Sequence, residues 1–404
     1  MKLKEKILKT TKDSNPDAYK CLCSLLGSFL GDALGSYCEF SKQSPLNSSK
    51  IFKGYNVFGS KPGQVTDDTE MSLSLAYALM DMPNINTIDQ NILYYYYGFW
   101  GKSNPVDIGK TAAKALKHFE FSSFMINNPS LFTKPKYMIK LMNILSTTDE
   151  FLCRLSPFAA WFYYRNKEYV KSTLDIKDVK GNYELYTEIK EGVKKDTEMT
   201  HSNPETVTVS GVFVFMALCA ICDNNANDII DHLKKLLESF KWFTEYLVKN
   251  MINEILDSFS KSDFNKEEFF NGISDAKSGN YEKGFKLTLY YLVNFDNIKP
   301  ESEECTKYRT IINEICNAGG DTDTNAAIVG TIIGPLIGFE NFGKELEVLI
   351  EFVPQDRFFY STALIYYFIE YLQESNRDKD SNSNNGIRFN YFNHLLSTMF
   401  IEMK

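Results

Sequence analysis

The sequence predicts an all-α fold in one domain. Three observations carry this. Apolar residues recur at helical spacing in several long segments. No region alternates apolar and polar residues at period two. No Pro/Gly-rich linker divides the first 370 residues. The 404 residues are 44% hydrophobic and 24% charged, a balance suited to a globular chain. The domain is expected over residues 20–370, with a low-complexity linker at 375–386 and a terminal helix at 387–404.

Residues 1–19 are Lys-rich and read as a frayed lead-in. Cys21 to Asp32 is apolar, with Gly27, Gly31 and Gly35 at steps of four, a small-residue face that lets another helix approach closely. Residues 41–64 read as an irregular loop. A helix follows Thr66-Asp67-Asp68 and stops at Pro83 and Asn84. Ile88 to Trp100 is an aromatic helix whose Tyr94 to Tyr97 run suits packing better than ligand binding. The loop Asn104 to Lys110 opens a helix from Thr111 to Phe119, where exposed N–H groups could meet an anion. Pro157 marks a helix entry after Arg154. Lys167 to Lys180 reads as exposed, and Tyr183 to Glu198 as amphipathic. Pro204 takes a first helical position after His201, which by itself reads as a local hydrogen-bond partner. Val207 to Cys222 is nearly all apolar, yet slightly short for a membrane span and interrupted by Thr208, Ser210 and Gly211. It reads as a central buried helix. Residues 223–300 carry charged amphipathic helices, taken as outer ones. Tyr308 to Ile315 leads to a final buried helix from Ala326 to Ile333.

Two of these helices open on acids. Val65-Thr66-Asp67-Asp68-Thr69-Glu70 heads one, and Gly319-Gly320-Asp321-Thr322-Asp323-Thr324 heads the other. Either cluster alone is explained by capping, and Asp67 with Glu70 has capping-box spacing. Together they suggest more. Acids at the start of a buried helix are costly unless neutralised, and no Lys or Arg lies close to Asp321 and Asp323 in sequence. Two such starts facing one another would offer hard oxygen ligands to one or two divalent cations. An EF-hand does not fit Asp321-x-Asp323-x-Asn325, because Ala326 and Ile332 stand where Gly and Glu are needed.

A net charge of −8 and a pI near 5.3 argue against nucleic-acid binding. The N-terminus has no apolar stretch of a secretory signal, so the eight scattered cysteines are expected as reduced thiols in a cytoplasmic protein. Cys219 and Cys222 form a CxxC without a second pair at zinc spacing, and a buried structural role is expected. No membrane association is expected, and a monomer is.

In chain order, Gly31-Asp32-Ala33-Leu34-Gly35 with Glu39, Thr66-Asp67-Asp68-Thr69-Glu70-Met71, Asp107-Ile108-Gly109-x-Thr111, Arg154-Leu155-Ser156-Pro157, Thr200-His201 and Gly319 to Thr324 together resemble the ADP-ribosylglycohydrolase family. That family includes the glycohydrolase that reactivates dinitrogenase reductase. The resemblance covers roughly residues 20–370. It implies a single orthogonal helical domain around a central binuclear metal cleft. The two ions would be Mg²⁺, with Mn²⁺ as the alternative. Their ligands would be Thr66, Asp67, Asp68, Asp321, Asp323 and Thr324. Glu39 would lie beside the scissile bond and is the candidate general acid or base, with Asp323 or Asp68 supporting the water. Asp107 and Gly109 would line the ribose and phosphate pocket, with His201 near the ligand. The implied partner is an ADP-ribosylated protein, or a small ADP-ribosyl conjugate. The implied reaction is hydrolysis of its glycosidic bond, with arginine favoured over serine as the acceptor. The family also holds non-catalytic, crystallin-like members, so a binding or structural role stands as the alternative. A His/Asp phosphohydrolase fits less well, because the chain has only four histidines. One stretch departs from the family pattern. Thr148-Asp149-Glu150-Phe151-Leu152-Cys153-Arg154 stands where Gly-Asn-Gly often precedes Met-Arg in a loop that approaches ADP-ribose. Acids facing a diphosphate would repel it unless they turn away.

Overall fold

Gly27, Gly31 and Gly35 set the centre of the molecule. They lie on one face of the helix Pro16–Gly35, and the helix Thr322–Ile337 crosses that face with its backbone against theirs. A Cβ at Gly27 would stand 2.4 Å from the Gly330 carbonyl oxygen. At Gly31 it would stand 2.3 Å from that of Ala326, and at Gly35 2.4 Å from that of Thr322. Gly330 and Gly334 repay the approach from the other side, each with a Cβ position 2.2 Å from a carbonyl of the first helix. The stripe read from the sequence is therefore the seam of the fold.

The computed structural model describes residues 2–40, 59–116, 143–165, 167–174, 179–222, 224–274, 279–300, 305–354 and 357–377. Among the described residues there are seventeen α-helices and no strand. In chain order they are α1 (Lys2–Lys9), α2 (Pro16–Gly35), α3 (Asp67–Met80), α4 (Gln90–Lys102), α5 (Lys110–Leu116), α6 (Ser156–Arg165), α7 (Lys167–Thr173), α8 (Val179–Thr197), α9 (Pro204–Ile221), α10 (Ala226–Glu238), α11 (Phe243–Phe259), α12 (Lys266–Ser274), α13 (Tyr281–Val293), α14 (Lys307–Ala318), α15 (Thr322–Ile337), α16 (Glu345–Glu351) and α17 (Ile365–Arg377).

The α2–α15 pair is surrounded by α3, α9, α13, α14 and α16. Helix α9 has the length and hydropathy of a membrane span, but 89% of that window is buried inside the protein, as expected of a core helix. Its start is fixed by Pro204 and by Asn203, whose side chain accepts from the Glu205 amide at 3.0 Å. All eight cysteines are free.

Three expectations need correction. Residues 1–19 are not a frayed lead-in. Ile7 of α1 is fully buried, and Lys4 bonds Glu347 and Glu351 of α16 at 2.7 and 2.6 Å. Helix α13 is not an outer helix. Phe285, Leu287 and Leu289 are fully buried, and Gly284 lets the helix meet Ile328 of α15. Helix α7 is not simply exposed, since Val170 and Thr173 are buried. The segment expected as a low-complexity linker begins inside α17, which runs to Arg377; residues 378–386, the expected terminal helix at 387–404, most of the 41–64 loop and residues 117–119 lie outside the described residues.

Candidate active site

The acid-headed helix α3 begins beneath the C-terminal half of α2. Its N-cap, Thr66, makes no side-chain cap hydrogen bond. Asp32 of α2 supplies the cap instead. Its carboxylate accepts from the Thr66 amide at 3.1 Å, the Thr66 hydroxyl at 2.8 Å and the Thr69 amide at 3.1 Å. Glu70 does not close a capping box. It accepts from Trp100 Nε1 at 2.8 Å and pairs with Arg357. The capping roles expected of Asp67 and Glu70 are thus filled from a distant helix, which leaves Asp67 and Asp68 for other work.

The start of α15 comes to the same place. The Thr322 hydroxyl donates to the Gly35 carbonyl at 2.7 Å, and the Phe40 amide donates to the Gly320 carbonyl at 2.9 Å. These bonds carry Glu39 over Asp321 and Asp323. Two carboxylate groupings result, sharing Asp323. Asp32, Asp68 and Asp323 each offer an oxygen within 4.8 Å of the others, and so do Glu39, Asp321 and Asp323. The two acidic segments, far apart in sequence, do meet.

All these side chains are buried except Asp321, which is half-buried. Burial, reinforced by Asp321 and Asp107, pushes the Glu39 carboxyl up to about 8, and burial pushes Asp32 up to about 6 despite its hydrogen bonds. Burial and mutual repulsion hold Asp67, Asp68 and Asp323 well above the usual carboxylate range. Asp321 is raised too, chiefly by burial. Glu39 Oε2 and Asp68 Oδ2 have no hydrogen-bond partner. Among the described residues no Lys or Arg pairs with any of these acids; the buried arginine nearby, Arg154, is committed to Asp196 at 2.9 Å. Carboxylate and hydroxyl oxygens without a cationic side chain form a donor set suited to a hard divalent cation. Thr66 and Thr324 stand at its edge. The Thr66 hydroxyl lies 3.4 Å from Asp323 Oδ2, and Asp321 takes a hydrogen bond from Thr324.

The Asp107 loop closes one side. Asp67 Oδ2 accepts from the Gly109 amide at 2.9 Å, and Asp107 accepts from Ile108. A Cβ at Gly109 would strike the Glu150 carboxylate, so close approach explains the glycine. The α5 N-terminus is not open to an outside anion as expected. Glu150 already accepts from the amides of Thr111 and Ala112, at 3.3 and 2.7 Å. One of the two acids that break the family pattern therefore does turn away. His201 is fully buried one layer behind. Its Nε2 bonds the Thr148 hydroxyl and its Nδ1 the Thr200 hydroxyl, both at 2.8 Å, and burial holds the ring neutral. It braces the 146–151 loop.

Two residues of the site went unassigned in the sequence. Asp32 was visible inside the glycine-spaced face, where an acid on a buried helix is itself a signal. Asp149 carried only a departure from a pattern. It is 1% exposed, and burial with the neighbouring Asp321 raises its carboxyl well above the usual range.

Comparison with known proteins gives the family. The ADP-ribosylglycohydrolase family model matches residues 14–354. The "Putative ADP-ribosyl glycohydrolase L543" of Acanthamoeba polyphaga mimivirus is 30% identical over 323 residues, covering 78% of this chain and 85% of that protein. The ADP-ribosyl-[dinitrogen reductase] glycohydrolase of Rhodospirillum rubrum is 33% identical over 104 residues, 25% of this chain and 34% of its own length. ADP-ribosylarginine hydrolase Tri1 of Serratia proteamaculans is 32% identical over 100 residues, 24% and 27% respectively. A solved ADP-ribosylglycohydrolase-related protein complex shares the fold, with a TM-score of 0.51 at 15% identity over 89% of this chain and 99% of that one. The chain belongs to the ADP-ribosylglycohydrolase family of hydrolases.

Proposed function

We propose that this chain hydrolyses the glycosidic bond joining ADP-ribose to a protein side chain, arginine first, with two Mg²⁺ ions bound at the carboxylate groupings. The observation that carries the reading is the pair of groupings sharing Asp323, with no lysine or arginine among the described residues paired to them. Thr66, Asp67, Asp68, Asp321, Asp323 and Thr324 would hold the ions, with Asp32 beside them. When bound, the cations supply Lewis acidity and orient ribose hydroxyls. The remaining roles belong to side chains. Glu39, beside Asp321 and Asp323, stands where it can pass a proton to the leaving nitrogen as the C1″–N bond breaks and take one back from the attacking water. Asp68 and Asp323 orient the water whose oxygen ends on C1″. The buried carboxylates stabilise the positive charge that develops on the sugar. Asp107 lines the ribose side. The preference for arginine is supported by the stretch shared with Tri1.

The test is incubation with ADP-ribosyl-arginine and ADP-ribosyl-serine proteins, with and without EDTA. Release of ADP-ribose from the arginine substrate in Mg²⁺, abolished by EDTA, is expected. No release from either substrate, or full turnover after complete chelation, would overturn the reading.

A further inference from the structure

Asp149 is a buried acid that the site as described does not use. Neither of its oxygens has a hydrogen-bond partner on another residue. It is not loosely held. The Leu152 amide donates to its carbonyl at 2.7 Å, and Thr148 before it is gripped by His201 and by Thr111. On the far side, the Tyr281 amide donates to the Thr147 carbonyl at 3.1 Å. The loop is thus fixed from three directions, and its acid points inward.

What it points at is Asp321. A Cβ built on Gly279 would lie 2.0 Å from Asp149 Oδ1 and 2.2 Å from Asp321 Oδ2. The two carboxylates therefore flank one point, and only a residue without a side chain leaves room for both. Two carboxylates side by side, Asp149 buried with no donor at all and Asp321 half-buried, are unstable as a pair of bare anions. Something positive must stand with them. Among the described residues no Lys or Arg pairs with either.

We propose that Asp149 is a further carboxylate of the cation-binding centre, meeting Asp321 at Gly279. Asp321 then joins two carboxylate neighbourhoods, and Gly279 is the residue that permits their approach. The inference rests on the metal-dependent reading above and adds a ligand to it. A proton shared between Asp149 and Asp321, with no cation, is the competing account.

The test is Mn²⁺ binding to the full chain, followed by isothermal titration and by the Mn²⁺ electron paramagnetic resonance signal. Asp149→Asn keeps the shape and removes the charge. It should weaken Mn²⁺ about tenfold or more, and should raise the melting temperature in EDTA by relieving repulsion. Gly279→Ala keeps both charges and wedges a methyl between them. It should weaken Mn²⁺ as well, and it serves if Asp149→Asn fails to fold. Wild-type affinity and stoichiometry in a folded variant of either kind would overturn the proposal and leave the metal-dependent reading standing. A wild-type protein that binds no Mn²⁺ would overturn both.

Discussion

Asp321 is the side chain on which the site converges. It groups with Glu39 and Asp323 and also meets Asp149 at Gly279. Asp321→Asn preserves shape and removes one anionic ligand, so the expected loss in kcat/KM is on the order of a thousandfold, about 4 kcal/mol. ADP-ribose release from ADP-ribosyl-arginine measures it, and near-wild-type turnover would contradict the assignment. Glu39 gives a second prediction, in the absence of cations. Its carboxyl moves from an ordinary 4.5 to about 8 on folding. A raised pKa means the folded form binds the proton more tightly. The resulting stability is fully present below 4.5 and is lost as pH climbs through about 8. The melting temperature in EDTA should therefore fall across that window, and Glu39→Gln should make the fall shallower. A flat or rising profile in EDTA would count against a buried, proton-holding Glu39.

At the scale of elements, the crossing of α2 and α15 is the feature most open to test. Gly31→Ala would set a methyl 2.3 Å from the Ala326 carbonyl oxygen, which is backbone and cannot swing aside. The helices would have to part, at a cost of about 3 kcal/mol or more. Gly272 in α12 is the control, because a Cβ there meets nothing within 4 Å. Gly272→Ala should stabilise by up to ~1 kcal/mol through helix propensity. Urea midpoints of the two variants should move in opposite directions, and equal shifts would remove the close-contact argument. This crossing was legible in advance because steps of four place residues on one helical face. The cap of α3 was not legible. The carboxylate that accepts from its amides, Asp32, lies on another helix, and short-range spacing pointed to Asp67 with Glu70 instead. Glu70 is taken by Trp100 and Arg357, the latter far along the chain.

For the whole molecule, the cluster of unneutralised acids predicts that cations and folding are coupled. Mg²⁺ at a hundred times its Kd should add about 2.7 kcal/mol to stability, by binding the folded form alone. Differential scanning calorimetry with Mg²⁺ against EDTA should show a clear rise in melting temperature, and an unchanged Tm would argue against a specific site. The same comparison at high NaCl separates specific binding from general screening, since buried groups are screened little.

The sequence by itself determined the helical class, the glycine seam, the core role of α9 and the two acid-headed starts. Each of these is a local pattern of spacing and polarity, set by helix geometry and by the cost of burying charge. The tertiary structure alone decided which acids share a cavity and which are spent elsewhere. Asp32 became a cap, Glu150 turned to the α5 amides, His201 withdrew to brace a loop, and Asp149 came to face Asp321. Those outcomes depend on partners brought together by folding, so no window of neighbouring residues could contain them.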